Sequence, residues 1–229
     1  VNFSFGNFMG PHDGTGEVSR SIDTIMSNME ASSNRPRLLM MPSGNGNLSR
    51  CHAVINLTQA APTAELDWQL QPADRSASIL SVWLPVMTPV KDNTVTMQVT
   101  VPGFDTPRTL TAGMTPGYNW QTEQDHLGNT IILGLVVYQP PVAPTARGKF
   151  TIAVVPTDNP MRVGLVAPAG DWKLQFVKGN AVDKLSLNIW VQRDETLPDF
   201  PEFGRQSYLS DPSYTRFNVP GGKVISEDP

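Results

Sequence analysis

Two periodicities divide the chain. Between residues 17 and 30, Val18, Ile22, Ile25, Met26 and Met29 recur at helical spacing on one face, the pattern of an amphipathic helix. Asp13 or Thr15 stands where a helix cap is expected, and Glu17 falls in the first turn, where the helix dipole favours a carboxylate. Asn34-Arg35-Pro36 ends the helix, because the residue before proline is pushed out of the helical region. Short apolar runs flank it, residues 1–5 before Gly6 and residues 37–41 afterwards. Two apolar strands joined by a helix of this length predict a parallel crossover, since parallel strands need a long connection.

Past about residue 52 the period changes to two. Residues 66–70, 79–84, 95–101, 172–176 and 185–191 alternate, while 131–138 and 150–155 are more continuously apolar. Clusters of Pro, Gly, Asn and Asp separate the runs. Short strands at regular spacing, with almost no helical period between them, predict a β-sandwich or jelly roll. Trp83, Trp172 and Trp190 lie inside alternating runs, so each is expected in the core. The expected fold is therefore mixed: a partial α/β strand–helix–strand segment over 1–58, a predominantly antiparallel β-sandwich or jelly roll over 59–193, and an extended tail over 194–229. Tyr208, Tyr214 and Phe217 are expected to dock that tail as a strap.

Composition narrows the classes of function. The 229 residues are 39% hydrophobic and 17% charged, with a net charge of -4. No basic patch stands out, so nucleic acid is not an expected partner. The longest apolar runs are far short of a membrane span, so no membrane partner is expected. Residues 1–6 lack both an initiating Met and a charged leader, which reads as the start of a piece of a longer polypeptide. Cys51 is the one cysteine; it is expected to be a small buried residue, and no cofactor is called for.

Chemistry concentrates at Pro42-Ser43-Gly44-Asn45-Gly46-Asn47. A small-residue loop at the end of an apolar strand presents an amide at the carboxyl edge of a sheet, where open α/β sheets place their sites. Such an amide is a candidate oxyanion donor, although Gly-Asn-Gly also suits a plain left-handed turn.

The flanks of this loop resemble the subtilisin-like serine proteases. Val1-Asn2-Phe3-Ser4-Phe5-Gly6 is similar to that family's Ile-Asn-hydrophobic-Ser-hydrophobic-Gly strand. Gly10-Pro11 and Asp13-Gly14-Thr15, followed by a helix, look like the segment that comes next, with a few extra residues at 7–9. Residues 38–46 resemble the family's apolar strand ending in small-Gly-Asn. The resemblance covers the first 50 residues. It implies that Asn45 is the oxyanion-hole asparagine, a donor worth about 3–4 kcal/mol of barrier in enzymes of this type. It further implies that Ser4, Phe5 and Gly6 pair with the backbone of a peptide or protein substrate. Ser43 and Gly44 then wall the pocket for the side chain before the scissile bond.

The Ser–His–Asp triad that this chemistry needs is not in the sequence. The family's Gly-Thr-Ser, His-Gly-Thr and Asp-Ser/Thr-Gly signatures are absent, and His12, His52 and His126 have the wrong neighbours. In the family the Asp and His precede the matched segment and the Ser follows it. The chain then reads as an inactive fragment whose partner is the remainder of the protease domain, with the β-rich part inserted. A secreted or cell-envelope location follows from the resemblance. Residues 168–174 and 185–190 also look like the end of the jelly-roll domains attached to many secreted proteases.

Other motifs read as structural. His12-Asp13 are adjacent and lack further ligand spacing, so a loop role is expected. Cys51 and His52 would point apart on a strand, which argues against a nucleophile pair. Asp171, Asp183 and Asp194 match no calcium loop. The sequons at Asn2, Asn47 and Asn56 are triplets that chance supplies. The alternative function is a non-catalytic sandwich that binds glycan or protein, with Trp68, Trp83, Trp120, Trp172 and Trp190 available for stacking; an assembly domain is a third class.

Overall fold

The computed structural model describes residues 8, 10–32, 38–41, 49–87, 94–115, 117–124, 128, 130–141, 147–159, 166–180, 182–192, 204–211, 217–219 and 223–225. One helix, α1 (Glu17–Ala31), precedes a β-rich body. Six strands form one antiparallel sheet: β1 (His52–Leu57), β10 (Leu185–Val191), β3 (Ser78–Trp83), β8 (Lys149–Val154), β7 (Thr130–Gln139) and β6 (Gly117–Gln124), in that spatial order. Five form a second: β11 (Tyr208–Ser210), β2 (Thr63–Leu70), β9 (Gly170–Lys178), β4 (Val95–Thr100) and β5 (Arg108–Thr111). Among the described residues the short strands β12 (Phe217–Val219) and β13 (Lys223–Ile225) pair only with each other.

Alternation decides which side chains enter the core. In β10, Leu185, Leu187, Ile189 and Val191 are buried while the residues between them are only half-buried. Register lines them up with the next strands: Ala53 faces Ile189, Ile189 faces Val82, and Val82 faces Phe150. The second sheet answers with Leu209 opposite Trp68, Trp68 opposite Trp172, and Phe176 opposite Met97. The two sheets meet at an aromatic cluster. Trp172 lies edge-on to Trp68 at 5.9 Å and to Trp120, from the six-stranded sheet, at 5.2 Å. Such edge-to-face pairs add to what burial of the rings contributes. Gly134 of β7 leaves room for them: a Cβ there would lie 3.3 Å from Trp120, Trp172 and the Ala153 carbonyl.

Three expectations are corrected. Residues 38–41 do not form a strand; only Met40 makes an isolated bridge, and Leu38, Met40 and Met41 are exposed. A run of apolar residues specifies a strand only when a neighbour supplies hydrogen bonds and a face to bury. With residues 1–7 and Arg37 outside the described residues, no strand–helix–strand unit is seen. Trp83 and Trp190 are not core residues but lie half-buried on the outer face of the six-stranded sheet. Alternation fixes which residues share a face, and β10 turns its Leu and Ile set inward instead. The cap of α1 is Gly16, with no side-chain cap bond; Asp13 and Thr15 bond to each other one turn earlier.

The helix itself forms as its periodicity predicts, yet it buries no residue. Val18 is 65% and Ile25 56% exposed. The sheets extend beyond the runs that alternate most clearly. β1 begins at His52 and pairs along its whole length with β10, and β11 adds Tyr208–Ser210 to β2.

Candidate functional site

The predicted site residues Ser4, Phe5, Gly6, Ser43, Gly44 and Asn45 all lie outside the described residues. Beyond the first group, Phe8 and His12 lie against the outer face of the six-stranded sheet at Trp190. Trp190 stands opposite His52 in the β1–β10 register, and the two rings stack at 3.9 Å. His12 stacks on the same indole at 3.7 Å and 12°. Phe8 adds a tilted contact at 6.1 Å, and its carbonyl lies 3.1 Å from His12 Nε2. The chain bends sharply here, with positive φ at His12 and Gly14. Asp13 accepts hydrogen bonds from the Thr15 amide at 3.0 Å and its hydroxyl at 2.6 Å, an Asx turn that launches α1. The other Asp13 oxygen lies 2.7 Å from Arg147 Nε. Partial burial pushes the Asp13 carboxyl upward, but the Thr15 bonds and Arg147 outweigh it and hold the group below its usual range.

His12 and Asp13 therefore do separate jobs, one on an indole and one on a guanidinium, and converge on no common ligand. Cys51 is buried while His52 lies on the outer face, so the two point apart as expected for neighbours on extended chain. Asp171 and Asp183 are exposed, and Asp194 lies outside the described residues. Among the described residues no group of three or more His, Cys, Asp or Glu could hold a metal ion. None of their helices is long and apolar enough to cross a membrane. Of the tryptophans, Trp68, Trp120 and Trp172 are in the core. Trp83 has Lys149 Nζ 4.8 Å from its ring centroid, and burial lowers the Lys149 pKa.

A second polar node lies at the sandwich edge. Asp74 is buried, and its Oδ1 accepts from the Ser76 amide at 2.9 Å, the Ser76 hydroxyl at 2.7 Å and the Arg205 amide at 3.0 Å. Its carbonyl accepts from the Asp158 amide at 2.8 Å, and Arg75 pairs with the Asp158 carboxylate at 2.7 Å. The Asp74 carboxylate thus ties the turn after β2 to the strap leading to β11, and the residue's backbone carbonyl adds the loop after β8. It is a joint, because every contact is internal. Asp74 with Ser76 two residues on carried a local turn signal; the Trp190 stack joins residues far apart in sequence and carried none.

No protein-family profile matches the sequence, and no curated protein matches it. Among solved structures, the fold is similar to that of the CspB protease of Clostridium perfringens, with a TM-score of 0.59 at 19% identity over 93% of this chain. The chain spans 37% of the length of that protein. At this identity the likeness is one of fold.

Proposed function

We propose that this chain is part of a subtilisin-like serine endopeptidase. In this reading it contributes the oxyanion-hole amide of Asn45, the substrate-pairing strand of Ser4, Phe5 and Gly6, and an accessory jelly-roll domain. The observation that carries the reading is the agreement of two independent likenesses. The first 50 residues resemble subtilisin-like proteases in sequence, and the fold is similar to that of a solved protease over 93% of the chain. The strand pairing supports the jelly roll: β1 with β10, β2 with β9 and β3 with β8 nest inside one another across two sheets, as when one long hairpin is rolled up. The uncovered apolar face of α1 suits a helix that packs on further protease core.

The chemistry would be acyl transfer. A triad serine attacks the peptide carbonyl, the Asn45 side-chain N–H donates to the developing oxyanion, and residues 4–6 hold the substrate strand. Ser43 and Gly44 shape the adjoining pocket. The triad is absent from this sequence, so the chain alone does not cleave peptide bonds, and secretion or the cell envelope suits the whole enzyme. Two experiments test the reading. Incubating the chain with fluorogenic casein should give no turnover; activity that co-purifies with the chain through contaminant controls overturns it. Sequencing the gene on both sides should reveal Asp-Thr-Gly and His-Gly-Thr upstream and Gly-Thr-Ser downstream. In that full-length enzyme, Asn45→Ala should lower kcat about 100- to 1000-fold with KM little changed.

A further inference from the structure

The far edge of the six-stranded sheet carries an open cleft whose described lining comes from β5, β6 and β7. It has a volume of about 420 Å³, within the range of small-ligand sites. Strand β6 forms its floor. Among the described residues β6 is the terminal strand of its sheet and pairs only with β7, so one row of its backbone N–H and C=O groups meets no ladder partner among them. Register shifts follow Trp120 and Gln121, which leaves residues 117–120 as the regular stretch of that edge.

Two walls of different character flank it. On the outer face, Ile132 and Leu135 of β7 are 45% and 36% exposed, and Leu135 stands opposite Asn119 in register. On the other side are Tyr118, 42% exposed, and Arg108 from the edge strand of the opposite sheet. The Arg108 guanidinium carbon sits 5.8 Å from the Tyr118 ring centroid. Arg108 Nε is buried and meets no hydrogen-bond acceptor. Gly117 joins the two walls: a Cβ there would lie 2.7 Å from the Val136 carbonyl and 3.0 Å from Val137 Cγ1. The described residues lining the cleft include no acidic side chain.

A buried guanidinium N–H without an acceptor is a costly arrangement, and a carboxylate is the group whose geometry matches it. An unpaired strand edge recruits extended backbone, with alternate side chains filling adjoining hollows. The combination defines one occupant. We infer that β6 and Arg108 form a docking site for an extended acidic peptide segment. The segment adds to the β6 edge, lays an apolar side chain over Gly117 and Asn119 beside Leu135, and places a carboxylate on Arg108. This inference stands apart from the protease reading, since it uses none of residues 1–50.

The test is fluorescence anisotropy of the whole chain with fluorescein-labelled Val-Thr-Val-Glu-Val-Thr-amide. Saturable binding is expected below about 1 mM. Replacing the peptide Glu by Gln should weaken it about tenfold, as should Arg108→Gln in the protein. Methylating alternate peptide nitrogens should abolish binding, which separates strand addition from simple ion pairing. Ile132→Glu, at an exposed position that leaves the core alone, should weaken binding about fivefold by putting like charge on the wall. Equal binding of the Gln peptide, indifference to both substitutions in protein of unchanged circular dichroism, or no binding at all overturns the proposal. So does concentration-dependent self-association through β6, seen by sedimentation and lost in Ile132→Glu, because the edge would then serve a second copy.

Discussion

The sandwich and the helix that precedes it are both periodic in sequence, yet among the described residues only the sandwich buries its apolar set. The β-strands turn their apolar sets toward each other and bury Trp68, Trp120 and Trp172 completely or nearly so. α1 has an equally regular apolar stripe and buries nothing. Periodicity reports which face an element must cover; it does not say that the cover lies in the same polypeptide. The same holds for Leu38, Met40 and Met41, an apolar run that stays exposed.

Substitutions can break or sharpen this contrast. The largest effect is expected at Trp172→Ala, which empties the centre of the aromatic cluster and should cost about 3–5 kcal/mol in urea unfolding. A loss under about 1 kcal/mol would mean that the sheets do not meet there. Asp74→Ala comes next. It strands the part-buried amides of Ser76 and Arg205 and should cost about 1–3 kcal/mol, with faster proteolysis of the strap over 204–211 than elsewhere.

A smaller effect is expected from acid at the Asp13 turn. The folded Asp13 carboxyl sits below its usual value of 3.8, so its contribution is fully present above that value and is lost as pH falls through the lower folded one. Hydrogen exchange at the Thr15 amide should therefore rise about threefold at the acid end, and Asp13→Asn should flatten that dependence. The smallest effect is the most telling. Val18→Asp with Ile25→Asp should change the stability of this chain by no more than about 0.5 kcal/mol. In a longer protein whose core covers the helix, the same pair should cost several kcal/mol, roughly that of losing two buried aliphatic side chains. A large loss in this chain alone would erase the distinction between its two regions.

Much of the sandwich was legible in the sequence because burial on one face writes alternation into a strand. Every alternating or apolar run past residue 60 lies largely within a strand, and α1 ends within a residue of the expected position. β5 and β6 were not legible. The first is four residues long, and the second, Gly-Tyr-Asn-Trp-Gln-Thr-Glu-Gln, is a polar edge strand with register shifts. Edges need less apolar surface and so leave a weaker trace. The outward setting of Trp83 and Trp190 was hidden for a different reason: parity becomes known only once a neighbouring strand fixes which side is inside. The Asn45 loop was readable only through its likeness to a family, because an amide between two glycines has no periodicity of its own.

The stack on Trp190 has a consequence for how α1 meets anything else. His12 and His52 rest on the same indole, and Asp13 reaches Arg147, so the chain is anchored to the sandwich just before α1. The helix therefore starts on a short tether of three residues, 14–16, from an anchored Asp13. Whatever surface captures its apolar face thereby holds the sandwich at an effective concentration on the order of millimolar. A weak grip on one helix then suffices to keep a β-domain of two sheets in place, and loosening both the Trp190 stack and the Asp13–Arg147 pair would lengthen the tether without touching the grip.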